Sequence, residues 1–215
     1  MICFLGNSHA ARHMREAAKR RGLHVIDNTA DAHVIFISED TPTDENGVRN
    51  LKPIRELIAK ASTNGAQLVL TSQVPPGFTR SLGIENIFHQ AETLRIIDAE
   101  KRALHPEYIA VGGDAKIGTH YANYLAAFPC PVIRMSWEEA EFSKIAVNMT
   151  LASQVDNANR LSKAAAQVGA NWDVVCEALR LDSRIGPQSY LKPGRWQDSK
   201  HLLRDSVTLG EIERE

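Results

Sequence analysis

No apolar run in the chain is long enough to span a bilayer, and no basic segment followed by an apolar stretch opens it. Neither a membrane protein nor a secretory leader is therefore expected. Only three cysteines occur in 215 residues. Cys3, Cys130 and Cys176 lie far apart with no CxxC pair, which argues against a disulfide or zinc framework. Reduced thiols, a cytoplasmic setting and no metal site are the expectation. Neither sign of charge dominates: 25 Lys and Arg against 26 Asp and Glu leave a formal charge of -1. Nucleic acids and anionic membranes need a clear basic excess, so neither is an expected partner. There is no internal repeat and no low-complexity linker. What remains is an ordinary folded composition, 43% hydrophobic and 24% charged.

The first part of the chain alternates buried-strand and helical patterns. ICFLG (2–6), HVI (24–26), HVIFIS (33–38), LVLTS (68–72), IFHQ (87–90), IAVGG (109–113) and PVIRM (131–135) read as strands. AARHMREAAKRRG, ended by Gly22, LKPIRELIAKAS (51–62), AETLRIIDAEKRAL (91–104) and GTHYANYLAAF (118–128) read as helices. Such alternation predicts an α/β fold, a Rossmann-like, doubly wound and mostly parallel sheet, with its ligand crevice beyond the carboxyl ends of the strands. After residue 135 the strands stop. A long helix is expected over 136–168, opened by a Ser136/Glu139 capping box and closed by Gly169. A helix capped by Asn171, a loop over 184–196 and a terminal helix over 199–215 follow. The expected division is thus 1–135, dinucleotide-binding, and 136–215, helical.

The first strand–turn–helix reads GNSHAA where a dinucleotide fingerprint reads GxGxxG. Ser8 stands where a glycine lets the backbone approach a pyrophosphate, and Ala11 stands at the helix-packing position. Gly6, Asn7, Ser8, His9, Ala10 and Ala11 can still present a helix N-terminus to an anion. Asp27 follows the second strand where a ribose-binding acid would sit. An equally good reading is a tight turn and a surface Asp27.

Further on, five segments resemble the UDP-glucose/GDP-mannose dehydrogenase family in the family's order. ADAHVIFISEDTPTDENG resembles a third strand ending in a TPT loop, and LVLTSQVPPGFTR resembles STVPxGTT. HQAETLRIIDAEKRALHPEYIAVGG is similar to the NPEFLREG…NPDRIVVGG stretch, AEFSKIAVNMTLASQVDNANRL to the central helix, and LDSRIGPQSYLKPG to DxRIGxxxLxPG. The resemblance implies a Rossmann domain that binds NAD, with Thr41, Pro42, Ser72 and Gln73 beside the cofactor. It also implies a helical domain that builds a homodimer through the long helix, and a nucleotide-sugar substrate. A second nucleotide-binding domain has no counterpart in the sequence, and the segment between Asp27 and Asp31 is much shorter than in the family.

The resemblance assigns Lys144 and Asn148 to proton transfer and oxyanion binding, and their i, i+4 spacing puts them on one helix face. Glu92 falls on the first acidic residue of the PEFLREG string, with Ile96 at the second. Asp205 matches the acid of CFPKD, with Arg204 in place of its Lys. Counting from Gly194 places His201 where the family has its cysteine nucleophile. Trp196, Asp198 and Ser199 replace the glycines of that loop. Imidazole is a poor substitute for a thiolate that must add to an aldehyde and leave again. The full four-electron oxidation is therefore not expected, although His201 could act as a general base. Three readings stay open: an NAD-dependent oxidoreductase limited to one two-electron step, a pseudoenzyme keeping a nucleotide-binding or partner-binding cleft, and a structural dimer with an empty cleft.

Overall fold

The computed structural model of the chain describes residues 1–61 and 65–214. The expected helix end at Ser62 and the last residue of the expected terminal helix, Glu215, lie outside them. Two compact units are formed, one from Met1–Asp44 with Arg49–Lys144 and one from Glu45–Val48 with Ile145–Glu215.

The first unit holds seven strands: β1 (Ile2–Leu5), β2 (Val25–Ile26), β3 (Val34–Ile37), β4 (Gln67–Leu70), β5 (Ile87–Gln90), β6 (Ile109–Gly112) and β7 (Val132–Met135). They make one sheet in the order β2-β1-β3-β4-β5-β6-β7. Every pairing is parallel except β5 with β6, so the expected mostly parallel, Rossmann-like sheet is what folds. The connecting helices are α1 (His9–Arg20), α2 (Lys52–Ala61), α3 (Phe78–Ser81), α4 (Ala99–Leu104) and α5 (Thr119–Ala126).

The near-continuous apolar strand runs follow from burial on both faces. Alternate side chains of one strand enter different cores. Phe4, Val34, Phe36, Val69 and Phe88 pack with Met14 of α1 and with Tyr121 and Tyr124 of α5. Cys3, Ile35, Ile37, Leu68, Leu70 and Ile87 pack on the other face with Ile54 and Ile58 of α2.

The stretch 91–104 departs from the expected helix. Only Ala99–Leu104 is α-helical, preceded by a 3-10 turn at Ile96–Asp98. The Glu92 carboxylate accepts a hydrogen bond from the Leu94 amide, and a side chain that captures nearby backbone competes with helix formation. Asp98 gathers Arg95 and Arg102 around itself at the start of α4. Ile96 and Ile97 are left in solvent at 81% and 89% exposure, so their helical spacing covers no core. The short helix α3 is an addition that the sequence pattern did not announce.

The helix α6 (Trp137–Gln167) begins in the first unit, and from Ile145 onward it builds the second, helical unit with α7 (Trp172–Leu181) and α8 (Lys200–Ile212). The capping box is reciprocal: the Ser136 amide donates to Glu139 Oε2 at 2.7 Å, and the Glu139 amide donates to Ser136 Oγ at 3.2 Å. Gly169 adopts a φ of +73 beyond the helix end, and Asn171 Oδ1 accepts from the Asp173 amide, capping α7. The loop before α8 is clasped to α6. Asn159 exchanges two hydrogen bonds with Gly194, the Gln154 side chain accepts from the Tyr190 amide, and the Trp196 indole donates to Asp156. Among the described residues no helix is long and apolar enough to cross a membrane.

His89 on β5 is fully enclosed, and its Nδ1 finds no hydrogen-bond partner. Burial drives its pKa from 6.5 down to about 3. In the unfolded chain His89 takes up a proton below pH 6.5, whereas in the folded chain it does not. The stability it contributes is present above pH 6.5 and is lost toward pH 3, at about 1.4 kcal/mol per pH unit. Urea melts at pH 7 and pH 5 should differ by about 2 kcal/mol from this group alone. The variant His89→Gln should show a correspondingly shallower pH slope; an unchanged slope would assign the effect to another group.

Candidate functional site

In the first unit, most of the residues expected at a cofactor site collect where β1, β3 and β4 end. Gly6 leaves β1 at a φ of +98, and a Cβ there would lie 2.1 Å from the Ser38 carbonyl oxygen. Glycine is required because the backbones after β1 and β3 touch. Ser8 caps α1: its Oγ accepts from the Ala11 amide at 3.0 Å and shares a 2.8 Å hydrogen bond with Ser38 Oγ. Ser8 and Ala11 are buried, whereas Asn7 is exposed. His9 pairs with His13 one turn on, Nε2 to Nε2 at 3.1 Å. Ala10 is half-buried in the same turn.

Thr41, Ser72 and Gln73 belong to the same neighbourhood and are held by one another's backbone. The Thr41 hydroxyl donates to the Gln73 carbonyl at 3.3 Å, and Ser72 Oγ accepts from the Glu39 amide at 2.8 Å. Pro42 is exposed, its carbonyl accepting from the Asn50 amide. Asp27 stands at the end of β2, where its carboxylate pairs with Arg15 at 3.1 Å; Arg15 also donates to the Phe4 carbonyl.

One group here went unread in the sequence. Glu39 Oε2 accepts from the Asn7 amide at 3.1 Å, and Oε1 accepts from the Asp40 amide at 3.1 Å. A dinucleotide site leaves the glycine-turn amides open and lets a pyrophosphate lie on the helix N-terminus. This turn carries a buried serine at the second glycine position, and a carboxylate already sits on one amide. A pyrophosphate would meet like charge there, so these residues do not fit a dinucleotide.

A second unread residue is Glu141, 1% exposed on α6. Its carboxylate accepts from the Gly77 amide at 2.6 Å and from the Thr79 amide at 2.7 Å, fastening α3 and the loop after β4. Burial raises its pKa, while the two amides and the Thr79 side chain pull it back. Neither carboxylate stands out in the sequence, since Glu39 is followed by Asp40 and Glu141 comes just after Glu138 and Glu139.

Lys144 is half-buried on α6, one turn before the buried Asn148. In the helical unit Asn148 Nδ2 donates to Asp205 Oδ2 at 2.6 Å. Asp205 is completely enclosed on α8, and the neighbouring buried Arg204 places Nε 3.7 Å from its other oxygen. Two residues far apart in sequence are thus brought into contact through their side chains. A hydrogen-bonded carboxylate fixes which way the Asn148 amide faces and leaves its oxygen to accept from a hydroxyl. Glu92 follows β5 and spends one carboxylate oxygen on its own backbone. His201 is exposed on the first turn of α8. Ile145 is wholly buried. Among the described residues no group of three or more His, Cys, Asp or Glu is arranged to hold a metal ion.

Residues 138–214 match the model of the UDP-glucose/GDP-mannose dehydrogenase family, central domain. That part of the chain therefore carries the family's central domain. It is 29% identical over 198 residues to the UDP-glucose 6-dehydrogenase YwqF of Bacillus subtilis, a match covering 85% of this chain and 45% of that protein. It is 27% identical over 216 residues to the UDP-glucose 6-dehydrogenase of Rickettsia felis, covering 92% of this chain and 47% of that protein. The chain therefore spans about half the length of these dehydrogenases. The fold is shared with the UDP-D-ManNAc dehydrogenase of Pyrococcus horikoshii at a TM-score of 0.76 and 15% identity, covering 100% of this chain and 68% of that one. Within this dehydrogenase family, the Asn148–Asp205 contact is the part of the expected site that the helical unit holds together.

Removing the Glu141 carboxylate strands two amides. Glu141→Ala should lower unfolding stability by about 2–4 kcal/mol, and Glu141→Gln, which sets an NH2 against one of the two amides, should cost nearly as much. A urea midpoint within error of the parent for both variants would remove this clamp from the account.

Proposed function

We propose that the chain is a non-oxidising member of the family, a homodimeric scaffold that binds a nucleotide sugar without transferring hydride from it. The observation that carries this reading is the Glu39 carboxylate on the Asn7 amide, where a cofactor diphosphate would have to lie. His201, at the position where the resemblance expects the cysteine nucleophile, adds to it: an exposed imidazole replaces a thiolate. The helical unit supports the ligand class. A buried Asn148 anchored by the Asp205 carboxylate offers an amide of the kind that hydrogen-bonds sugar hydroxyls. The absence of any disulfide among Cys3, Cys130 and Cys176 accords with a cytoplasmic setting.

The intact Asn148–Asp205 pair also favours a second reading, a two-electron NAD-dependent oxidoreductase in which Lys144 accepts the hydroxyl proton. Calorimetric titration separates the two. UDP-glucose or GDP-mannose should bind at micromolar concentration, Asn148→Ala should weaken that binding tenfold or more, and millimolar NAD should give neither heat nor reduced nicotinamide. Sugar-dependent NADH formation that disappears in Lys144→Ala would establish the second reading instead.

The dimer rests on exposed apolar side chains of the helical unit. Leu161 and Val168 along and after α6, and Val174 and Leu181 of α7, are 37%, 80%, 60% and 87% exposed. Apolar surface of this extent on one unit favours a partner surface. Sedimentation at micromolar concentration should return twice the chain mass, and Leu161→Glu combined with Val174→Glu should return a monomer. A parent protein that sediments as a monomer would end the dimer proposal.

A further inference from the structure

We infer that Glu39 is the residue that excludes a diphosphate from the β1–α1 turn, acting as a built-in anion that occupies the helix end in the ligand's place. The inference deepens the non-oxidising reading and rests on it. Its basis is how firmly the carboxylate is placed. The close approach of Gly6 to the Ser38 carbonyl brings the residue just past β3 against the turn after β1, and Glu39 follows Ser38 directly. The Glu39 amide is tied to Ser72 Oγ at 2.8 Å, one carboxylate oxygen is tied to the Asp40 amide, and the other is tied to the Asn7 amide. The side chain is therefore held at both ends by backbone that the sheet itself positions.

The turn also has the right polarity for such an anion. No acidic residue lies in the first turn of α1, so the partial positive charge of that helix end is met by no acid of the helix's own. Glu39 supplies the missing negative charge across the strand ends. Ser8 completes the closure. It is 4% exposed, it caps Ala11, and it bonds Ser38 in the space that a glycine would leave to a phosphate oxygen. A diphosphate arriving here would have to displace one carboxylate and sit beside its charge.

Three variants test this with NAD as the probe, read by calorimetry and by the shift of the melting temperature. Glu39→Ala frees the Asn7 amide and removes the charge. Glu39→Gln keeps an acceptor on the amide and removes the charge only. Asp40→Asn removes the same charge from the exposed neighbour, whose carboxylate does not hold the Asn7 amide. The expected result is no NAD binding by the parent and by Asp40→Asn. Glu39→Ala should bind at least tenfold more tightly than the parent's detection limit, about 1.4 kcal/mol, and Glu39→Gln should fall between.

If parent and Glu39 variants are all silent while folded, the assignment to Glu39 is overturned and the non-oxidising reading stands. If the parent binds NAD at micromolar concentration, that reading falls. The Glu39 assignment then survives only if Glu39→Ala still gains tenfold over Asp40→Asn. Should Glu39→Ala fail to fold, Glu39→Gln decides: a gain over Asp40→Asn supports the assignment, and none overturns it.

Discussion

The first turns of α6 are fixed by a single buried carboxylate, and the packing of that end of the helix on the loop after β4 depends on it. Glu141 has left water almost entirely, which for a lone carboxylate is a large cost. Two backbone amides, those of Gly77 and Thr79, offset that cost with charge-assisted hydrogen bonds. The surrounding contacts fit the same purpose. The Trp137 indole donates to the Ile87 carbonyl at 3.0 Å. A Cβ on Gly112 would lie 2.5 Å from the Ser136 carbonyl oxygen and 2.6 Å from Ala140 Cβ, so β6 accepts the start of the helix only because that position carries no side chain. The capping box then sets the first residue. With the start and the depth of these first turns fixed, the face of them that carries Lys144 is fixed too.

That rigidity makes the contrast within the chain informative. The helical unit keeps the Asn148–Asp205 hydrogen bond in a fully enclosed setting, which is costly to maintain unless each polar group is partnered. The β1–α1 turn is just as well partnered, but internally: Ser8, Ser38, Glu39 and Ser72 satisfy one another and the local amides. A binding turn is one whose donors wait for a ligand. Here two of the amides in that turn, those of Asn7 and Ala11, have partners from their own chain.

Much of this was legible in the sequence, for identifiable reasons. Strands buried on both faces write themselves as apolar runs: β1, β3 and β6 each fall inside the expected segment, and β4 starts one residue before its own. Local capping chemistry depends on neighbours two or three residues apart, so Ser136 with Glu139 and the Asn171 cap could be read directly. The stretch 91–104 misled because apolar spacing does not reveal whether a core waits beneath it; Ile96 and Ile97 have helical spacing and face solvent. Glu39 and Glu141 were invisible for a deeper reason. Each acts through a backbone amide distant in sequence, and an amide carries no residue identity. The pairing of Asn148 with Asp205 was reachable only because the family resemblance singled out both residues; spacing alone joins nothing across 57 positions.

The two residues proposed to oppose oxidation, Glu39 and His201, lie in different units and bear on different steps. Glu39 bears on whether a hydride acceptor can dock, and His201 bears on whether an aldehyde could be captured afterwards. Loss of the second alone would leave a one-step dehydrogenase, for which an open phosphate turn would still be indispensable. Loss of the first makes the second immaterial, because a chain that cannot hold the acceptor produces no aldehyde for a nucleophile to trap. The retained Asn148–Asp205 pair does not weigh against this order of events. A buried Asp205 flanked by Arg204 would be left uncompensated if its partners were removed, so the pair persists for stability whether or not a hydroxyl is being oxidised beside it.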